Sequence, residues 1–242
     1  MSVTQFIIFC SIVLIAAVIQ GISGFAFGMI VLMVFPYMFG YTKALILVAF
    51  MCVFLSCTNA YIYRAFIDWK WAPRWLVVFG IADLISVLVL KKVGDSPIWY
   101  TLMGFMFIVM AIYLLWGQKV IHIKVSGCTL IVMASLSGLI MGAFGVGGPI
   151  MAAFFLEATT SKEEYLGTIQ GVGVIVAMID VVLRALNGMF TMDLFGYAAL
   201  GLIFMGAGLL IAKKLVSLMD ALTMRRIICG VMVVNGIVML LH

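Results

Sequence analysis

The chain has 242 residues, 67% hydrophobic and 10% charged, with a mean hydropathy of +1.33 and a formal net charge of +5. A soluble domain carries roughly 25% charged residues, so this composition excludes a water-soluble fold and indicates an all-α polytopic membrane protein. The basic residues are dispersed between apolar segments without a run interleaved by aromatics, which argues against a nucleic-acid partner.

A transmembrane helix needs about 20 apolar residues. The first apolar segment, 4–39, is too long for one crossing and is broken near its middle by "GISGFAFG". Its start lacks the positive n-region and clean cleavage site of a signal peptide, so the reading retains it as a membrane segment. Helices are expected at 43–63, 73–90 and 97–116, separated by short loops that each hold a charge. A second overlong segment, 125–158, is broken by "GAFGVGGPIM". It is followed by helices expected at 164–183, 194–212 and 226–241. Ser161 stands three residues before Glu164, the capping-box spacing that marks a helix start.

The chain repeats itself. An offset of 121 pairs Gly21 with Gly142, Gly24 with Gly145, Lys43 with Glu164 and Asn59 with Asp180. Small slips pair Arg64-Ala65 with Arg184-Ala185, and Lys91–Val93 with Lys213–Leu215. This order of glycine breaks, helix starts and basic ends predicts two homologous halves, 1–120 and 121–242. Each holds a broken segment, re-entrant or discontinuous, and three helices. If each broken segment returns to its own side, ten of the fourteen Lys and Arg residues fall on one face; if each crosses, the split is eight to six. The positive-inside rule favours the first arrangement. The halves are then inverted, with both termini on the periplasmic side of the inner (cytoplasmic) membrane.

The breaks need a reason, because Gly costs about 1 kcal/mol and Pro about 3 kcal/mol in a helix interior, and unmet backbone groups are costly in lipid. Paired interruptions at corresponding positions of two halves point to a transporter's binding site. A half-helix starting at mid-membrane presents unpaired N–H groups and a partial positive charge, and glycine admits close approach to that backbone. Gly145, Gly147, Gly148 and Pro149 read as a turn and a fresh helix start, with proline suited to the first helical position. Gly24, Phe27 and Gly28 are the counterpart in the first half. Together they predict a small anion bound by backbone between the half-helix N-termini. The plain alternative, close packing through small residues, suits Gly138-xxx-Gly142 and Gly201/Gly208.

Polar residues inside apolar segments are functional hypotheses. Asp83 lies ~12 Å from either end of its helix at 1.5 Å per residue, placed to carry a coupling proton or to make a helix contact. Asp180 and Arg184, four apart, can pair as an interfacial salt bridge or serve as coupling charges. Arg64 can snorkel to headgroups or attract anions at a vestibule. Gln20 and Gln170 can donate to an anion oxygen or bridge helices. Trp69, Trp71, Trp75, Trp99 and Trp116 near segment ends suit an interfacial belt. The five cysteines, without a CxxC, read as small buried apolar residues. Neither a metalloprotease motif nor a histidine placed beside a nucleophile is present, so the reading is not an enzyme, and no metal or cofactor is implied.

A four-helix duplication with "SGFAFG" in one half and "GAFGVGGP" in the other resembles the TauE/SafE family of sulfite and organosulfonate exporters, across essentially the whole chain. The first motif departs from the second by carrying Ala26 and Phe27 where the second has Gly147 and Gly148. The resemblance implies a permease for small sulfur-containing anions such as sulfite, sulfoacetate or thiosulfate. It also implies movement without ATP, in keeping with the absence of a Walker motif. The expectation is a secondary transporter, an exporter working by alternating access between the inverted halves with the option of proton coupling. The alternative is an anion channel that uses the same breaks as a filter. The partners are the small anion and the lipid bilayer, and a homodimer is compatible with both.

Overall fold

The structure is a computed structural model that describes residues 3–23, 25–113, 124–189 and 194–215, with residues 229–230, 233–234, 236–238 and 240. Gly24, Trp116 and much of the expected helix 226–241 lie outside the described residues. The described elements are α1 (Val3–Ser23), α2 (Phe27–Val31), α3 (Phe35–Phe39), α4 (Tyr41–Ile62), a 3-10 turn (Arg64–Phe66), α5 (Ala72–Val93), α6 (Pro97–Ile112), α7 (Gly127–Phe144), α8 (Gly148–Ala158), α9 (Lys162–Leu186) and α10 (Leu194–Leu215). No strand occurs among them. Five of the described helices are long and apolar enough to cross a membrane: 3–21, 41–62, 127–144, 163–186 and 194–212. The chain is an all-helical, multi-pass membrane protein.

The elements fall into two compact units, and each unit draws on both halves of the sequence. One comprises residues 1–45, 95–121 and 193–242, the other 46–94 and 122–192.

In the first unit α1 packs along α10. The seam is made of small residues one turn apart. A Cβ on Gly208 would stand 2.7 Å from the Ala17 Cβ and 2.7 Å from the Leu14 carbonyl oxygen, and one on Gly21 would stand 2.6 Å from the Ala212 Cβ. Small residues at this spacing bring helix backbones close, where dispersion is strongest. The segment after α1 doubles back along it. The rings of Phe9 and Phe35 stack 5.1 Å apart, whereas 26 residues of straight helix would separate them by about 39 Å. Phe39 continues the aromatic cluster, 4.9 Å from Tyr197. At the start of α4, Asp95 accepts from the Thr42 N–H and hydroxyl. Its carboxylate thereby meets the positive end of the helix dipole.

In the second unit α5 packs along α7 and also against α9. Here too the seam is small. A Cβ on Gly138 would lie 2.5 Å from the Phe79 carbonyl oxygen, and one on Gly142 would lie 2.6 Å from the Ser86 Cβ. The packing role expected of Gly138, Gly142 and Gly208 is therefore observed. Ala17 and Gly21 precede Gly138 and Gly142 by 121 residues, the offset of the sequence repeat. Trp75 is fully buried against Phe154 and Phe155, with ring centroids 5.2 and 5.3 Å away.

Several expectations are corrected. Trp75 and Trp99 are buried, so only part of the tryptophan set can form an interfacial belt; Trp75 is held inward by the two phenylalanines of α8. Cys57 and Cys128 are exposed, although Cys10 and Cys229 are buried. The cap at α9 follows the expected pattern, with the Glu164 N–H donating to Ser161 Oγ at 3.1 Å. The returning carboxylate, however, accepts from Thr160 N and Oγ1, one residue earlier than the usual box.

Candidate functional site

The second break is built residue by residue. α7 ends in Gly145, whose φ of +69° is left-handed and whose N–H donates to the Met141 carbonyl at 2.7 Å. This αL cap is the conformation for which glycine carries no Cβ penalty. Two residues later Gly147 touches Ser137, ten positions back on α7. Ser137 Oγ donates to the Gly147 carbonyl at 2.9 Å, and a Cβ on Gly147 would fall 2.6 Å from the Ser137 carbonyl oxygen. Ten residues of straight helix would span about 15 Å, so the chain has turned back on itself. Glycine is required at 147 by space, since its φ of −78° is ordinary.

α8 then starts afresh at Gly148, with Gly147 as its N-cap and no side chain capping it. Pro149 falls at the second helical position rather than the first, because the helix begins one residue earlier than expected. Its missing N–H costs nothing there. The N–H groups of Gly148 and Ile150 belong to the first turn, where no intrahelical acceptor exists. Gly145, Val146 and Gly147 are buried, and Gly148 is half-buried.

The C-terminal end of α7, which carries the opposite partial charge, is neutralised separately. Arg184 Nη2 donates to the Gly142 and Met141 carbonyls at 2.9 and 3.2 Å. Its Nε donates to Asp180 Oδ1 at 2.9 Å. Arg184 thus caps the negative dipole end of one half-helix beside the positive start of the next. The expected Asp180–Arg184 pair forms, and both side chains are 0% exposed: two residues from the end of α9, the guanidinium turns inward to the α7 carbonyls. Asp83, also 0% exposed, joins this cluster from α5. The ideal Cβ position of Gly142 lies 2.8 Å from Asp83 Oδ1, so the glycine makes room for the carboxyl.

The remaining candidates are placed differently. In the first break, Phe27 and Gly28 are buried in the five-residue α2, and the Phe27 N–H donates to Gln20 Oε1 at 2.8 Å. That carboxamide oxygen therefore occupies a donor at the α2 start, so the two breaks are chemically unequal. Gln170 is buried in α9, three residues before Gly173, which faces Met151 in the first turn of α8. Arg64 is exposed beyond α4 with its guanidinium 4.3 Å from the Tyr61 ring centroid. Ser137 and Met141 were not legible as site residues, because their partners are set by the turn of the break. Their only signal is position, one to two turns before "GVGGP".

No group of three or more potential metal ligands occurs among the described residues. The family model "Sulfite exporter TauE/SafE" matches residues 9–239. No curated protein and no solved structure matches the chain. With nearly its whole length matched, its helices apolar enough to span a bilayer and its second half broken at "GAFGVGGP", the chain belongs to the TauE/SafE family of membrane transporters.

Proposed function

We propose that this protein is a secondary transporter, working as an exporter, that carries small sulfur-containing anions such as sulfite or an organosulfonate. The anion is held at the N-terminus of α8. The observation that carries this reading is the uncapped first turn of α8, with the adjacent negative end of α7 already neutralised by Arg184. Backbone donors and a helix dipole then favour negative charge without a lysine or arginine of the site having to bind it. Gly148 puts no side chain where an oxyanion would approach, while Gly147 seats the turn against Ser137. The first break, with Gly24, Phe27 and Gly28, is the matching feature of the other half, and its helix start is already capped by Gln20.

Two inverted halves are supported by the glycine seams, which recur at the repeat offset and in each case join a broken segment to the second of the three helices of the other half. Alternating access between such halves, without ATP, is the corresponding mechanism. The charge distribution supports periplasmic termini in an inner membrane.

The test is thermal stabilisation of the purified chain by sulfite, sulfate, thiosulfate, sulfoacetate and taurine, with a neutral solute as control. A ligand at 100 times its Kd adds about 2.7 kcal/mol. Stabilisation by a sulfur anion in the parent and its loss in Gly148→Leu is the expected result. An equal shift in both proteins would remove α8 as the site.

A further inference from the structure

The cluster of Asp83, Asp180 and Arg184 holds more charge than the break requires. Three ionisable side chains from α5 and α9 are each 0% exposed. One guanidinium faces two carboxyls. Asp180 Oδ1 is bonded to Arg184, but Asp180 Oδ2, Arg184 Nη1 and both oxygens of Asp83 receive no hydrogen bond from a described donor. The Asp83 and Asp180 carboxyls stand within hydrogen-bonding reach of each other. Two carboxylates cannot bond to each other, since both are acceptors; one of them must carry a proton. The charge count agrees. With both ionised, the site would hold an uncompensated buried negative charge, which is far more costly than a neutral group.

We propose that Asp83 and Asp180 share one exchangeable proton, and that its loss releases Arg184 from the end of α7. In the protonated state the Asp83 hydroxyl donates to Asp180 Oδ2, the site is neutral, and Arg184 bridges Asp180 to the Met141 and Gly142 carbonyls. Loss of the proton to water converts the Asp83 carboxyl to a carboxylate. Two anions then compete for one guanidinium, whose Nη1 is unengaged, and the α7 carbonyls lose their donor. The last turn of α7 and the break after it loosen together. This inference deepens the transport reading by naming the proton as the regulator of the proposed anion site, and it rests on that reading only for its physiological use.

Among the described residues, few titratable or charged groups act on this pair. Asp83 is influenced by Asp180 and Arg184, and Asp180 by Arg184 and Asp83. The Cys52 thiol of α4 also senses Asp180. From α7 the facing groups are backbone carbonyls and Gly142, which do not titrate. The serine beside Asp83 on α5, Ser86, donates to the Leu139 carbonyl at 2.7 Å and leaves Asp83 unassisted.

The test needs no anion. Infrared spectra of the purified full chain, in a detergent without ester groups, are recorded from mildly acidic to alkaline pH. The expected result is a protonated-carboxyl stretch present at neutral pH, shifted by deuterium, and lost in Asp83→Asn. A parent spectrum without that band overturns the proposal, whether or not the variant folds. Amide exchange of residues 141–148, corrected for intrinsic rates, is followed over the same pH range. Protection in the parent is expected to fall as the band disappears, while Asp83→Asn stays protected throughout. A band that titrates with no change in protection overturns the link to the break. Failure of every anion to stabilise the protein would instead remove the transport reading and leave this result standing.

Discussion

Arg184 does two jobs with one planar group: Nε faces Asp180, and Nη2 reaches two carbonyls at the end of α7. Lysine, a compact point charge, lacks the planar fork that holds donors in these two directions. Removing the guanidinium leaves Asp180 buried without a cation, and breaking a buried pair in this way costs about 3–5 kcal/mol. Arg184→Met is therefore expected to lower thermal stability by about that amount, and adding Asp180→Asn should recover part of the loss. A single variant that melts with the parent would mean that the pair does not hold the break. The i to i+4 spacing of Asp180 and Arg184 was legible in the sequence. Their burial was not, because a position two residues from a helix end reads as exposed until the neighbouring helix is known.

Between elements, stability rests on the two small-residue seams. In lipid, helix association lacks the usual hydrophobic drive, and close backbone packing takes its place. Gly208 illustrates the tolerance: a methyl group there would meet both the Leu14 carbonyl and the Ala17 Cβ at 2.7 Å, and neither is the far end of a flexible side chain. Overpacking of this kind costs about 1–3 kcal/mol. Gly208→Ala should destabilise by that much in thermal unfolding, whereas Gly206→Ala, with nothing within 4 Å of its ideal Cβ, should be close to neutral. Equal effects at the two positions would argue against the seam. Glycine spacing alone suggested packing at Gly138, Gly142 and Gly208. It could not say which helix was the partner, since any apolar face would have served.

At the scale of the molecule, the family and the multi-pass helices identify a membrane transporter, and counterflow separates a carrier from a channel. Reconstituted vesicles preloaded with unlabelled sulfite should take up labelled sulfite faster than empty vesicles, because a carrier exchanges substrate across an alternating site. Equal rates would favour a channel that uses the same break as a filter. The sequence by itself determined the membrane class and the places where helices break and start. These follow from hydropathy, glycine and proline content and cap residues, all of which act within a few positions along the chain. Only the tertiary structure decided that Ser137 seats Gly147, that Arg184 neutralises the end of α7, and that Asp83 meets Asp180 from 97 positions away. Such meetings depend on which helix faces lie together, and an apolar sequence in lipid offers many faces of nearly equal hydropathy. The choice among them is made by shape, through glycines that admit one partner closely and exclude bulk everywhere else.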